Sequence, residues 1–149
     1  MTKISFYKVS GGVASAINLA AKLTEKSIEE KCKVLWQVSD EKFVKHVDQM
    51  LWGYSHTSFL PHGTGPLSGP VGISKESTPG IHHEVLMNFQ KDIPAWFSRF
   101  ERLIEFIYED HTDIEIKRQH FRFFKDRGYK TDYIDLSNEK FTRIKKCSI

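Results

Sequence analysis

The order of patterns in the N-terminal third restricts the fold more than any other feature of the sequence. Lys3–Val9 alternates and is rich in β-forming residues, so it reads as an opening strand, and Gly11-Gly12 turns the chain. From Val13 to about Ile28, apolar residues recur at helical spacing through Val13, Ile17, Ala20, Ala21 and Leu23. Lys33–Val38 is a short apolar run that fits a buried second strand. Ser39-Asp40 offers a helix N-cap, and Phe43, Val44, Val47 and Leu51 stripe the helix behind it. Strand, helix, strand, helix in this order calls for βαβ units with right-handed crossovers. The expectation is a three-layer α/β/α single domain with a mostly parallel central sheet.

Between Pro61 and Gly80, nine of twenty residues are Gly or Pro, which predicts a long loop with a short strand at Val71–Ile73. His83–Phe89 reads as a strand, Pro94–Phe100 opens a short helix, and Leu103–Tyr108 is a further buried strand. Asp113–Arg127 is a helix that stops at Gly128, a good residue to follow a helix end, and Tyr129–Leu136 alternates like an edge strand. With 149 residues, 40% of them hydrophobic, the chain suits one domain over 1–136, followed by a basic, flexible tail over 137–149.

Composition removes several classes. No apolar run approaches the roughly 18–20 residues of a membrane span, and the opening lacks the pattern of a secretory signal. Two cysteines, Cys32 and Cys147, cannot form a disulfide framework, which points to a reducing, cytoplasmic setting. The net charge of +3 hides an asymmetry: residues 117–149 hold ten Lys/Arg against four Asp/Glu, while residues 1–116 are mildly acidic. A basic C-terminal quarter on such a body suits a localised anionic partner better than a nucleic-acid coat.

The topology is Rossmann-like, but no nucleotide-binding fingerprint accompanies it. Neither GxxxxGK[ST] nor GxGxxG is present, and the glycine-rich Gly63–Gly69 stretch contains Pro66, which removes a backbone donor that a phosphate cradle needs. His62, His82, His83, His111 and His120 lack ligand spacing, so no metal site is expected, and no cofactor. No GxSxG elbow or catalytic cysteine context occurs, and Glu101 with Glu105 reads as a solvated or structural pair. The expectation is a chain without catalytic residues.

Two constellations look like binding surfaces instead. Leu51-Trp52-Gly53-Tyr54-Ser55-His56-Thr57-Ser58-Phe59-Leu60-Pro61-His62 runs off the second helix into the loop, and its aromatics serve equally well as core or as protein interface. On the helix 113–127, Arg118, Arg122 and Lys125 fall within about 60° of one another, with Phe121 at the border and Ile116, His120, Phe123 and Phe124 toward the core. Guanidinium groups beside an aromatic edge suit a ligand that combines a carboxylate with an apolar group.

These segments resemble the chi subunit of bacterial DNA polymerase III. The likeness rests on Phe6-Tyr7, Lys33-Val34-Leu35, Asp40-Glu41, Asp48, Leu51-Trp52, Ser58-Phe59-Leu60-Pro61-His62, Pro70-Val71, Val85-Leu86-Met87-Asn88, Phe100-Glu101-Arg102, Arg118, Phe121-Arg122, Phe124-Lys125 and Gly128-Tyr129. The resemblance implies a non-catalytic accessory protein of the replisome that binds two partners. One is the psi subunit, which leads to the clamp loader, at Leu51, Trp52, Phe59, Leu60 and Pro61; a helicase is a further candidate for that surface. The other is the acidic C-terminal tail of single-stranded-DNA-binding protein, ending in proline-phenylalanine, at Lys117, Arg118, Phe121, Arg122 and Lys125. Phe121 stands where the family often has tyrosine, and Ile114 replaces a basic residue one turn before Arg118, with Lys117 as its substitute. The competing readings are an α/β enzyme with a divergent nucleotide or phosphate site, and a direct binder of single-stranded nucleic acid.

Overall fold

A computed structural model describes residues 1–52, 63–64, 71–76, 80, 82–108 and 111–136. Its strands are β1 (Lys3–Lys8), β2 (Val34–Gln37), β3 (Gly63–Thr64), β4 (Val71–Ser74), β5 (Val85–Asn88), β6 (Arg102–Ile107) and β7 (Thr131–Asp135). Helices α1 (Val13–Glu29), α2 (Glu41–Trp52) and α3 (His111–Asp126) and a 3₁₀ turn at Phe97–Arg99 connect them. The seven strands form one sheet in the order β3-β4-β2-β5-β6-β1-β7, and every pairing is parallel. Among the described residues the sheet is thus parallel throughout, in keeping with the expected mostly parallel sheet. Covered on both faces, β2, β4, β5 and β6 are buried at every position, which is why their sequences run apolar instead of alternating.

The two faces hold separate cores. Tyr7, Trp36, Met87, Ile104 and Phe106 point to the face where α1 and α2 lie, against Ile17, Leu23, Val47 and Leu51. Ile4, Phe6, Leu35, Leu86 and Leu103 point the other way, toward Phe97, Phe100 and Phe124. Three layers result, as the sequence pattern predicts. Helix α1 brings Ala16, Ala20 and Ala21 to the sheet, so its backbone can approach closely.

The turns have local causes. Gly11 has φ +92°, and a Cβ there would stand 2.6 Å from Ser15 Oγ, so glycine is required. Asp40 caps α2 as expected, its carboxylate accepting the Phe43 N–H at 2.8 Å. Helix α3 ends at Gly128 (φ +82°), where Gly128 N–H donates to Lys125 O and Tyr129 N–H to Phe124 O. This is a Schellman close, and the Tyr129 ring packs edge-on against Phe124 in the accompanying apolar contact. Helix α1 closes in the same way with Lys31 at φ 63°, a place glycine usually holds.

Two expectations change. The helix opened by Pro94 is a single 3₁₀ turn, because Phe100 returns to extended backbone to lead into β6. Glu101 and Glu105 are not a pair: Glu101 is exposed, whereas Glu105 is fully buried on the face of β6 that looks at α3. The tail 137–149 lies outside the described residues.

Candidate functional site: a cationic groove on the last helix

Glu105 organises the α3 side of the sheet. It is aligned with Asn88 of β5, which is aligned with Gln37 of β2 and, through it, with Ser74 of β4, so a polar rung crosses four adjacent strands. Asn88 Nδ2 donates to Glu105 Oε1 at 3.3 Å. Helix α3 supplies the charges: Lys117 Nζ donates to Glu105 Oε1, and His120 Nδ1 lies 2.9 Å from Oε2. Burial alone would push this carboxyl group up, but the Lys117 ammonium and the His120 contact outweigh it and hold the group below the ordinary glutamate value. Lys117 and His120 lie on successive turns of α3, so the carboxylate fixes the helix against β6 at two points.

That fixing leaves the outer side of α3 facing a groove of about 610 Å³. Arg118, Arg122, Lys125, the half-buried Phe121 and the buried Lys117 line it from the helix, Ile107 from β6 and Tyr133 from β7. Four cationic side chains and no carboxylate are among the described residues that line it. Arg118, Arg122 and Lys125 are exposed, and Lys125 Nζ sits 5.7 Å from the centre of the Phe121 ring. Chemically the groove can accept carboxylates from guanidinium donors, with aromatic surface alongside.

The structure thus brings Arg118, Phe121, Arg122 and Lys125 together as their helical spacing predicts. Lys117 is the exception. It lies about 100° around the helix from Arg118, and its ammonium turns inward to Glu105 with only 4% of the residue exposed. It supports the groove from within and does not stand in for the basic residue that Ile114 replaces. Sequence reasoning missed Tyr133 and Ile107. Both sit on strands whose partners are set by tertiary pairing, although the alternation of β7 marks Tyr133 as sharing a face with Phe6, its aligned neighbour in β1.

The other predicted surface is only partly visible. Leu51 is buried in the α1/α2 core, so it anchors the end of α2 and offers no free surface. Trp52 closes α2, and Phe59, Leu60 and Pro61 lie outside the described residues. A smaller cavity of about 280 Å³ opens where β2 and β5 end and their following connections depart to opposite faces, lined by Gln37, Gln90, Ile93, Pro94, Ala95 and Trp96. None of those side chains is cationic, so the anion-binding chemistry of the described residues gathers at α3.

Comparison with known proteins decides the family. The model of the DNA polymerase III chi subunit family, HolC, matches residues 1–132. The chain belongs to that family. DNA polymerase III subunit chi of Pseudomonas aeruginosa is 28% identical over 132 residues, covering 87% of this chain and 93% of the relative. Its counterpart from Escherichia coli is 23% identical over 124 residues, covering 79% and 84%. Among solved structures, domain 2 of the DEAD-box helicase Mss116p bound to an RNA duplex superposes with a TM-score of 0.55 at 14% identity, covering 90% of this chain and 65% of that one. At that identity the likeness concerns the α/β fold alone. The family is one of accessory subunits of a replicative polymerase, which places the chain in DNA replication. No helix among the described residues is long and apolar enough to cross a membrane.

Proposed function

We propose that the chain is a non-catalytic bridge that holds the acidic C-terminal tail of single-stranded-DNA-binding protein in the α3 groove and the psi subunit, and through it the clamp loader, at the segment from Trp52 to Pro61. The observation that carries the first half is the concentration of three exposed cationic side chains, Arg118, Arg122 and Lys125, with no carboxylate among the described residues that line their aromatic groove. A peptide tail of several acidic residues ending in proline-phenylalanine complements it: Arg118 takes the terminal carboxylate, Arg122 and Lys125 the acidic residues before it, and the aromatic wall the phenyl ring. Family membership supports the second half, since the Leu51-Trp52 and Ser58-Phe59-Leu60-Pro61-His62 motifs of the resemblance stand in this chain.

Calorimetric titration with such a peptide tests the first half. Wild type is expected to bind in the micromolar range with affinity falling as salt rises, and Arg118→Ala to weaken binding by about 1.5–3 kcal/mol. Absence of binding to folded wild type at low salt overturns this reading. A single-stranded oligonucleotide that binds as tightly as the peptide would instead make the groove a nucleic-acid site. For the second half, co-purification with psi should fail in a Trp52→Ala, Phe59→Ala double variant.

A further inference from the structure

β2 and β5 lie side by side, but the chain leaving β2 runs to α2 on one face of the sheet, while the chain leaving β5 packs Trp96 and Phe97 on the other. The first connection leads toward β3 and β4, the second toward β6 in the opposite direction. Crevices at such a reversal, outside the carboxyl ends of the strands, are where open α/β sheets take their ligands. The cavity of about 280 Å³ lies there. Gln37, the last residue of β2, lines it and is 2% exposed. Its Nε2 donates to Glu76 O at 2.8 Å and to Gln90 Oε1 at 3.4 Å, which fixes the orientation of the amide. Its Oε1 is then buried with no donor among the described residues. A buried amide oxygen in that condition marks a place where a donor is missing. The loop after β5 is already shaped: Asn88 Nδ2 and Gln90 Nε2 both donate to Asp92 O, at 3.2 and 3.1 Å. Half-buried Trp96 adds ring surface and is braced by Phe100, with centroids 5.9 Å apart.

We propose that this cavity binds a neutral nucleobase that carries an exocyclic amino group, the amino hydrogens donating to Gln37 Oε1 and Gln90 Oε1 and the ring lying against Trp96. The charge of the ligand follows from the lining. None of the described residues around the cavity is cationic or anionic, so the site selects neither a phosphate nor an ammonium group. The amino group follows from the two amide oxygens, since –NH₂ supplies two donors and Gln90 Oε1 accepts only the long bond from Gln37. Size follows from the volume, which stands at the lower end for small-molecule sites and suits a single ring system. The lack of a glycine-rich phosphate fingerprint agrees with this, because recognition falls on the ring. An aromatic face with a polar group on the base edge is how proteins hold single unpaired bases. A free nucleoside and an unpaired base of a DNA strand offer the same chemistry.

The experiment is an NMR titration of the full chain with adenosine, with purine riboside, which lacks the amino group, and with a single-stranded oligodeoxyadenylate. Adenosine is expected to bind about tenfold more tightly than purine riboside, the size of one net hydrogen bond, with shifts at Gln37, Gln90 and Trp96. Gln37→Leu should bring the two nucleosides to within about twofold of each other. Trp96→Ala, at a half-buried position, should weaken both by about tenfold and keep the preference, so the proposal stays testable if the buried Gln37 variant fails to fold. Oligonucleotide binding that Trp96→Ala weakens makes a DNA strand the source of the base; adenosine binding without it makes the source a free nucleoside. Equal binding of adenosine and purine riboside to wild type overturns the proposal, as does failure of both adenosine and the oligonucleotide to bind. Shifts that gather on Arg118 and Arg122 instead also overturn it.

Discussion

The two faces of the sheet solve the same burial problem with different chemistry. On the α1/α2 face a stack of rings crosses the strands: Trp36 on Phe89 at 5.4 Å, Phe89 on Phe106 at 4.9 Å, and Phe106 on Tyr7 at 6.3 Å. There the Trp36 indole N–H is met by Thr24 Oγ1 at 3.0 Å. On the α3 face the rings meet edge to face around the fully buried Phe124, and Glu105 with Lys117 and His120 sits beside them. The first face is a packing surface that tolerates the loss of polar detail. The second ties its packing to charge, and the charged helix it positions is the one that carries the groove.

The contrast can be broken first at its centre. Glu105→Ala leaves Lys117 buried without its counter-charge and should destabilise the fold by about 3–5 kcal/mol, read as a shift in the urea midpoint at constant slope. Trp36→Ala should cost a similar amount, about 3–5 kcal/mol, through the cavity it opens. The two then part under repair. Replacing Glu105 and Lys117 together by leucine and methionine should return most of the lost stability, since a well-packed apolar pair can equal a buried ion pair. If that double variant stays as unstable as Glu105→Ala, the cluster is more than a compensated pair.

Acid titration sharpens the same comparison. Glu105 has its pKa lowered in the fold, so its contribution is fully present above the unfolded value of about 4.3 and is lost as pH falls through the lower folded value. Urea midpoints measured downward from neutral pH should therefore drop in wild type, and Glu105→Gln should flatten that limb. Smaller effects lie away from both cores. Asp40→Ala removes the α2 cap and should cost about 1 kcal/mol. Lys3→Ala should change stability by no more than about 0.5 kcal/mol, because the Lys3–Asp132 pair is 3.7 Å apart and solvent-screened.

The order of elements and the layer arrangement were legible because each element advertises itself locally. Apolar runs mark the central strands, Asp40 marks the start of α2, and Gly128 marks the end of α3. The basic row of α3 was legible for the same reason, since Arg118, Arg122 and Lys125 share a helical face. The Lys117–Glu105 pair was not, because its two members lie on different elements and only the seating of α3 on β6 brings them together. A glutamate inside the apolar run Leu103–Tyr108 is the available sign, but in sequence Glu105 pairs as readily with Glu101 as with a helix far along the chain. Tyr133 was missed on similar grounds: its place in the lining of the groove depends on β7 pairing with β1, a contact between the two ends of the domain.

That last pairing has a consequence for how the chain is made. β1 is the first strand to be synthesised, yet its partners are β6 and β7. At about 5–20 residues per second of translation, β1 waits roughly 5–20 s for its first neighbour. During that interval Ile4, Phe6 and Tyr7 have no strand beside them, while β2, β4 and β5 can already assemble with one another. The half of the sheet that precedes β6 is thus available for early folding, and β1 is inserted late, between β6 and β7. The vulnerable moment of this protein is in its birth, when an apolar segment bound for the inside of the sheet is also the oldest of the described strands.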